Sequence, residues 1–137
     1  MPDVGIEVPV SFEPVFPVIG KADLVTVDTV IDIKSHSPYA RVPNAIHYLQ
    51  VASYCLALNK PMGCLCYVER GCLTPKFVYF NPLAHKNHVE LLLQAARAIY
   101  NNKDTAIATP SRSECSYCEF SHICSSSFYK TPNKKGK

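Results

Sequence analysis

The sequence predicts a small α/β domain, on three grounds. Its 137 residues suffice for one ordinary domain and are too few for two. At 47% hydrophobic and 18% charged residues it has the material for a core, which excludes a disordered chain. The residue patterns also run strands, helix, strands, helix, an order that lays helices on a sheet.

Residues 5–12 alternate and are rich in Val and Ile, a strand pattern. Pro9, Pro14 and Pro17 confine that strand to an edge or break it. Residues 18–27 and 29–35 are the next two strands, with Asp28 and Thr29 placed to turn a hairpin between them. Residues 35–43 read as a loop punctuated by Pro38 and Pro43. Asn44 suits the N-cap of a helix over 45–58. Its apolar residues Ile46, Leu49, Val51, Ala52, Leu56 and Leu58 lie all around it, so burial on more than one side is expected. Residues 64–69 and 76–80 are two further strands joined by a turn at Gly71. A second helix over 83–100 carries Leu91, Leu92, Ala95, Ala96 and Ile99 at helical spacing. From Asn101 the chain turns polar, then cysteine-rich over 110–124, then basic over 130–137. With no repeat and no boundary, residues 1–137 are expected to form a single domain.

No apolar run reaches the roughly 18 residues of a membrane span. The start Met1-Pro2-Asp3 lacks the basic and apolar regions of a signal peptide, so the expected setting is cytoplasmic, with no membrane partner. Fourteen Lys and Arg against eleven Asp and Glu give a net charge of +3, which is compatible with a nucleic-acid partner without establishing one. Seven cysteines, an odd number, argue against a disulfide framework and for thiols that hold a ligand.

Charges are uncommon in strands this apolar, because an unpaired buried charge is costly. Asp32 and Lys34 are two apart and share a strand face. A two-residue turn at Asp28–Thr29 pairs Val27 with Val30, Val25 with Asp32, and Asp23 with Lys34, bringing Asp23 to the same face. An odd-length loop would reverse that parity. Two carboxylates and an ammonium suit phosphodiester hydrolysis: oxygen ligands select Mg²⁺ or Mn²⁺, the ion activates water and neutralises phosphate charge, and the lysine stabilises developing negative charge. A structural salt bridge is the competing explanation. On the following helix Gln50 and Tyr54 are four apart and share a face, with His47 one turn earlier. By itself such a pair is more often a structural hydrogen-bonding detail.

Taken in order, Gly20-x-x-Asp23, Asp32-x-Lys34 and Gln50-x-x-x-Tyr54 resemble the PD-(D/E)XK nuclease superfamily in its RecB-like branch. The similarity runs from about Glu7 to the end of the cysteine segment, and its specificity lies in the order of short motifs. The resemblance implies a restriction-endonuclease-like fold, a mixed central sheet flanked by helices. It implies that Asp23 and Asp32 bind the divalent metal, that Lys34 is the catalytic lysine, and that Gln50 and Tyr54 support the site and position DNA. Glu7 lies where some members carry an acidic residue. Members usually have a helical segment ahead of the first strand, and almost nothing here precedes Gly5.

Cys115-x-x-Cys118 brings two thiols together, and Cys124 follows within reach. A disulfide, an iron–sulfur cluster and zinc are the alternatives. Pro110, Cys115, Cys118 and Cys124 resemble the cluster-binding end of Cas4 and AddB-type nucleases, where a [4Fe–4S] cluster takes its fourth cysteine from ahead of the first strand. The first cysteine here is Cys55. The centre would then rest on three cysteines, be completed by Cys55, Cys64, Cys66, Cys72 or His122, be replaced by zinc, or be lost. The four internal cysteines read more readily as small core residues, and His85 and His88 as solvent-facing. The basic tail, Lys130, Lys134, Lys135 and Lys137, reads as a solvated end or a phosphate contact.

The expected function is therefore a Mg²⁺- or Mn²⁺-dependent deoxyribonuclease, an exonuclease of Cas4/RecB type. It would act on single-stranded DNA or free ends, beside CRISPR-adaptation or recombination and repair proteins. The alternative is a non-catalytic nuclease-fold module that binds DNA or assembles a complex. A zinc-stabilised interaction domain ranks third.

Overall fold

Among the described residues, short β-branched runs divided by polar turns give five strands. They are β1 (Gly5–Ser11), β2 (Ile19–Val25), β3 (Thr29–His36), β4 (Met62–Glu69) and β5 (Pro75–Phe80). The computed structural model describes residues 4–12, 18–101 and 112–124. Pro14, Pro17, Pro110 and the basic tail lie outside them. Helix α1 (Ala45–Ala57) joins β3 to β4; a 3₁₀ turn (Pro82–His85) leads into α2 (Lys86–Tyr100), and α3 is short (Arg112–Tyr117). The chain divides into two units, Met1–Arg97 and Ala98–Lys137. The first holds the sheet, α1 and most of α2; the second holds the end of α2 and α3.

The sheet order is β1-β2-β3-β4-β5. Only β3 and β4 run parallel; the other neighbours are antiparallel. The sheet is therefore mixed and flanked by helices, as expected. A parallel pair needs a crossover, which α1 provides. Pro9, which has no N–H to give a ladder, sits on edge strand β1. Asn44 caps α1, its side chain accepting the Ile46 N–H. Gly71 turns β4 toward β5 at φ 118°, a left-handed conformation that glycine adopts freely.

The main core lies on the α1 face of the sheet. Val10, Ala22, Val25, Val30, Leu65 and Tyr67 meet Val51, Tyr54 and Cys55 of α1 there. Burial on α1 follows Val51, Ala52, Tyr54 and Cys55, while Ile46 is exposed. Helix α2 departs further from expectation. Val89 is its buried residue, and Leu91, Leu92 and Ile99 are exposed, so helical spacing alone does not report which face a neighbour covers. Among the described residues no helix is long and apolar enough to cross a membrane.

The hairpin corrects the expected register. The Thr26 N–H donates to the Thr29 carbonyl at 2.8 Å, so the two-residue turn is Val27–Asp28, one position earlier than Asp28–Thr29. Threonine chemistry fixes it. The Thr29 N–H donates to Thr26 Oγ1 at 3.0 Å, and both threonine hydroxyls donate to the Asp28 carboxylate. Those bonds hold the Asp28 pKa down. Val25 therefore pairs with Val30 and Leu24 with Ile31, where the expectation paired Val25 with Asp32. Counted on, Asp23 falls level with Asp32 instead of Lys34. The shift is two residues, so parity survives.

Candidate active site

Asp32 and Lys34 project from β3 toward α1. Asp32 is 2% exposed, and Lys34 Nζ lies 2.9 Å from its Oδ2. That ammonium also donates to Gln50 Oε1 at 2.9 Å, and Gln50 Nε2 donates to the Tyr54 hydroxyl at 3.3 Å. The i, i+4 spacing on α1 thus forms a relay ending on Lys34. The ammonium meets Asp32 Oδ2 at ion-pair distance but off the hydrogen-bond direction, which leaves this buried oxygen without an aligned donor. Burial pushes the Asp32 pKa up; Lys34 pulls it down, and the Asp23 charge pushes it up again.

Asp23 does not occupy a regular face position. Its Oδ2 accepts the Ile33 N–H at 2.8 Å, so the carboxylate stands where a ladder partner would be. The β1 side is interrupted at the same level. Ile6 pairs with Leu24 and Val8 with Ala22, while Glu7 between them has φ 50°, a conformation that costs a side-chain-bearing residue roughly 1–2 kcal/mol. The alternation resets there, and Ala22 and Val25, three apart, are both buried. Glu7 itself is exposed and pairs with Lys21 at 3.6 Å, apart from the Asp32–Lys34 contact.

The first motif's glycine and the last motif's tyrosine touch. A Cβ on Gly20 would sit 2.7 Å from Tyr54 Cε1, so that strand position admits no side chain while Tyr54 keeps its place. Two further residues border the site. Tyr67 lies beside Lys34 in the β3–β4 register, and its hydroxyl meets His47 Nδ1 at 2.9 Å and the Asn44 N–H at 3.0 Å. His47 was visible as a neighbour of Gln50 on the helix; Tyr67 carried no motif.

The sequence profile of the PD-(D/E)XK nuclease superfamily matches residues 3–125. The chain belongs to the PD-(D/E)XK nuclease superfamily. The match takes in the strands and helix that carry Asp23, Asp32, Lys34, Gln50 and Tyr54. Two solved structures share this superfamily member's fold. The crystal structure of SSO0001 is 23% identical with a TM-score of 0.62, over 92% of this chain and 61% of that one. An alkaline exonuclease from Laribacter hongkongensis is 10% identical with a TM-score of 0.51, over 72% of this chain and 64% of that one. The chain thus spans under two thirds of either neighbour's length. No curated protein sequence matches it.

The cysteine segment is not gathered into a ligand set. Arg112–Tyr117 is a short helix carrying Cys115. Cys115 is buried, Cys118 exposed and Cys124 intermediate, and all seven cysteines are free thiols. Among the described residues no three His, Cys, Asp or Glu side chains converge as a metal-holding group. The expected convergence of Cys115, Cys118 and Cys124 is therefore not seen. Three of the four internal cysteines behave as the expected core residues, and Cys72 does not. Cys55, Cys64 and Cys66 are buried and Cys72 is exposed, and burial pushes the Cys55 pKa up to about 11, which suits an inert thiol. His85 is not simply solvent-facing: it stacks on Tyr48 at 5.4 Å.

Proposed function

We propose that this chain is a metal-dependent deoxyribonuclease of Cas4/RecB type that degrades single-stranded DNA or DNA with free ends. The observation that carries the reading is the buried Asp32 carboxylate, held against Lys34 with one oxygen lacking an aligned donor. A buried carboxylate is costly to keep charged; this one has an ammonium 2.9 Å from Oδ2 and the Asp23 charge acting on it, negative charge that a divalent cation would balance. Asp23 and Asp32 would hold the ion. Mg²⁺ asks for only one or two carboxylates and keeps several waters, which fits a site with two acids. When bound, the ion supplies Lewis-acid activation of water and neutralises phosphate charge. Lys34, steadied by Gln50, faces the developing negative charge, and Tyr54 fixes the Gln50 amide. A fold neighbour described as an alkaline exonuclease agrees with this reading. Work in the cytoplasm beside CRISPR-adaptation or recombination and repair proteins belongs to the same proposal.

The test is degradation of labelled single-stranded and blunt-ended DNA with Mg²⁺ or Mn²⁺. Cleavage is expected with either ion and is abolished by chelator. DNA binding without cleavage would favour the non-catalytic module. For Cys115, Cys118 and Cys124 we propose a [4Fe–4S] or zinc centre that gathers its thiols on uptake. The Cys-x-x-Cys spacing supports this, and no step of the hydrolysis depends on it. Iron, sulfide and zinc content of anaerobically purified protein decides it; none of the three would leave these cysteines without a ligand.

A further inference from the structure

His47 is not used by the relay that ends on Lys34, yet the fold holds it beside that relay. It sits one turn before Gln50 on α1 and contacts Tyr67, the strand neighbour of Lys34. The charges of Asp32 and Lys34 both act on its ring. Its tautomer follows from its partner. The Tyr67 hydroxyl accepts the Asn44 N–H at 3.0 Å. The residue is buried, with no other acceptor for the hydroxyl among the described residues, so its own proton goes to His47 Nδ1 at 2.9 Å. An imidazole that accepts at Nδ1 carries its proton on Nε2. Among the described residues Nε2 has no partner. Tyr67 is 1% exposed, and burial pushes its pKa up, so the hydroxyl keeps the proton it donates. Burial and the Lys34 charge hold the His47 pKa down, so the ring is neutral.

We propose that His47 is a substrate-binding residue, its Nε2–H donating a hydrogen bond to a non-bridging oxygen of a DNA phosphate at the Asp32–Lys34 site. This rests on the nuclease reading above. A phosphate approaching two carboxylates needs donors on its other sides, and Lys34 is already engaged by Asp32 and Gln50. A neutral imidazole fixed by a buried tyrosine supplies a preorganised donor without adding charge. Tyr67 and Asn44 are then positioning residues, because they fix which ring nitrogen carries the proton.

Two substitutions separate donor from scaffold. His47→Asn keeps a polar atom near Nδ1 for Tyr67 and removes the distal donor; His47→Gln keeps an N–H near Nε2. Both are assayed on a fluorescein-labelled single-stranded oligodeoxynucleotide, for cleavage with Mn²⁺ and for binding with Ca²⁺. His47→Asn is expected to lower kcat/KM by about tenfold to a hundredfold and to weaken binding, with its melting temperature unchanged. His47→Gln should stay within about threefold of the unsubstituted protein, and Tyr67→Phe should fall between the two. Wild-type behaviour of His47→Asn, while Asp32→Ala is inactive, overturns the His47 contact and leaves the nuclease reading standing. Equal loss in the Asn and Gln variants makes the residue scaffold and also overturns it. If the unsubstituted chain cleaves nothing, the nuclease reading fails, and binding alone decides: Asn weaker than Gln supports the contact, and no difference overturns it.

Discussion

Asp32→Ala and Lys34→Ala are each expected to abolish metal-dependent DNA cleavage, by on the order of a hundredfold to a thousandfold or more, while the protein stays folded. The two losses have different sources. In the proposed site Asp32 is a metal ligand, buried beside Lys34, so removing it would remove a ligand. Lys34 is the ammonium between that carboxylate and Gln50, so removing it would remove the positive charge proposed to face the phosphate. The stability costs differ as well. Burial raises the Asp32 pKa, so Asp32→Ala removes a desolvated charge, which offsets the loss of its ion pair. The Lys34 ammonium left behind keeps Gln50 and part of its solvent. Lys34→Ala leaves the buried Asp32 carboxylate without its ion-pair partner, which lowers stability and is eased by proton uptake on Asp32, whose pKa burial already raises. Lost cleavage with cooperative melting kept in both variants, at a lower melting temperature for Lys34→Ala, is the expected result. Cleavage at the wild-type rate in both variants would assign the activity to a contaminant or another site.

The contact chain Asp32–Lys34–Gln50–Tyr54 was legible because strand and helix periodicities are strict, whereas the position of Asp23 was not. Asp32 and Lys34, two apart, could only share a face, and Gln50 and Tyr54, four apart, could only align on α1. The hairpin was legible in parity but not in register. Asp28 looked like part of a turn, and whether it took the first or second position depended on Thr26 and Thr29 bonding around its carboxylate. What escaped was set by contacts between distant segments. The Tyr67 hydroxyl reaches α1 only because β3 and β4 run parallel with Lys34 and Tyr67 side by side. The left-handed turn at Glu7 has no signal in an alternating strand, since side-chain-bearing residues rarely adopt it. Helix α2 displays an apolar pattern, but pattern does not say whether a neighbour lies against it. The cysteine spacing states that thiols are close in sequence, and Cys115 and Cys118 nevertheless differ in burial.

Gly20→Ala is expected to damage stability and activity together, which Asp32→Ala does not. The added Cβ would lie 2.7 Å from Cε1 and 2.9 Å from the hydroxyl of Tyr54. The ring has little room to retreat, since Tyr54 is 9% exposed, belongs to the core cluster and lies 6.2 Å from the Phe12 ring. Overpacking of this kind costs about 1–3 kcal/mol. Displacing the hydroxyl also loosens the 3.3 Å bond from Gln50, and with it the amide that steadies Lys34, so cleavage should fall by about tenfold. Tyr54→Leu separates the two effects. It relieves the clash, so thermal denaturation of the Gly20→Ala/Tyr54→Leu double variant should show less destabilisation than the sum of the singles. Cleavage should not recover, because no hydroxyl remains for Gln50 to bond. Additive melting shifts, or a Gly20→Ala protein with wild-type stability and rate, would show that the glycine is not there to admit the tyrosine. Less-than-additive shifts with unrecovered cleavage would make the Gly-x-x-Asp and Gln-x-x-x-Tyr motifs two halves of one contact: the glycine is small because the tyrosine that braces Gln50 occupies its side-chain space.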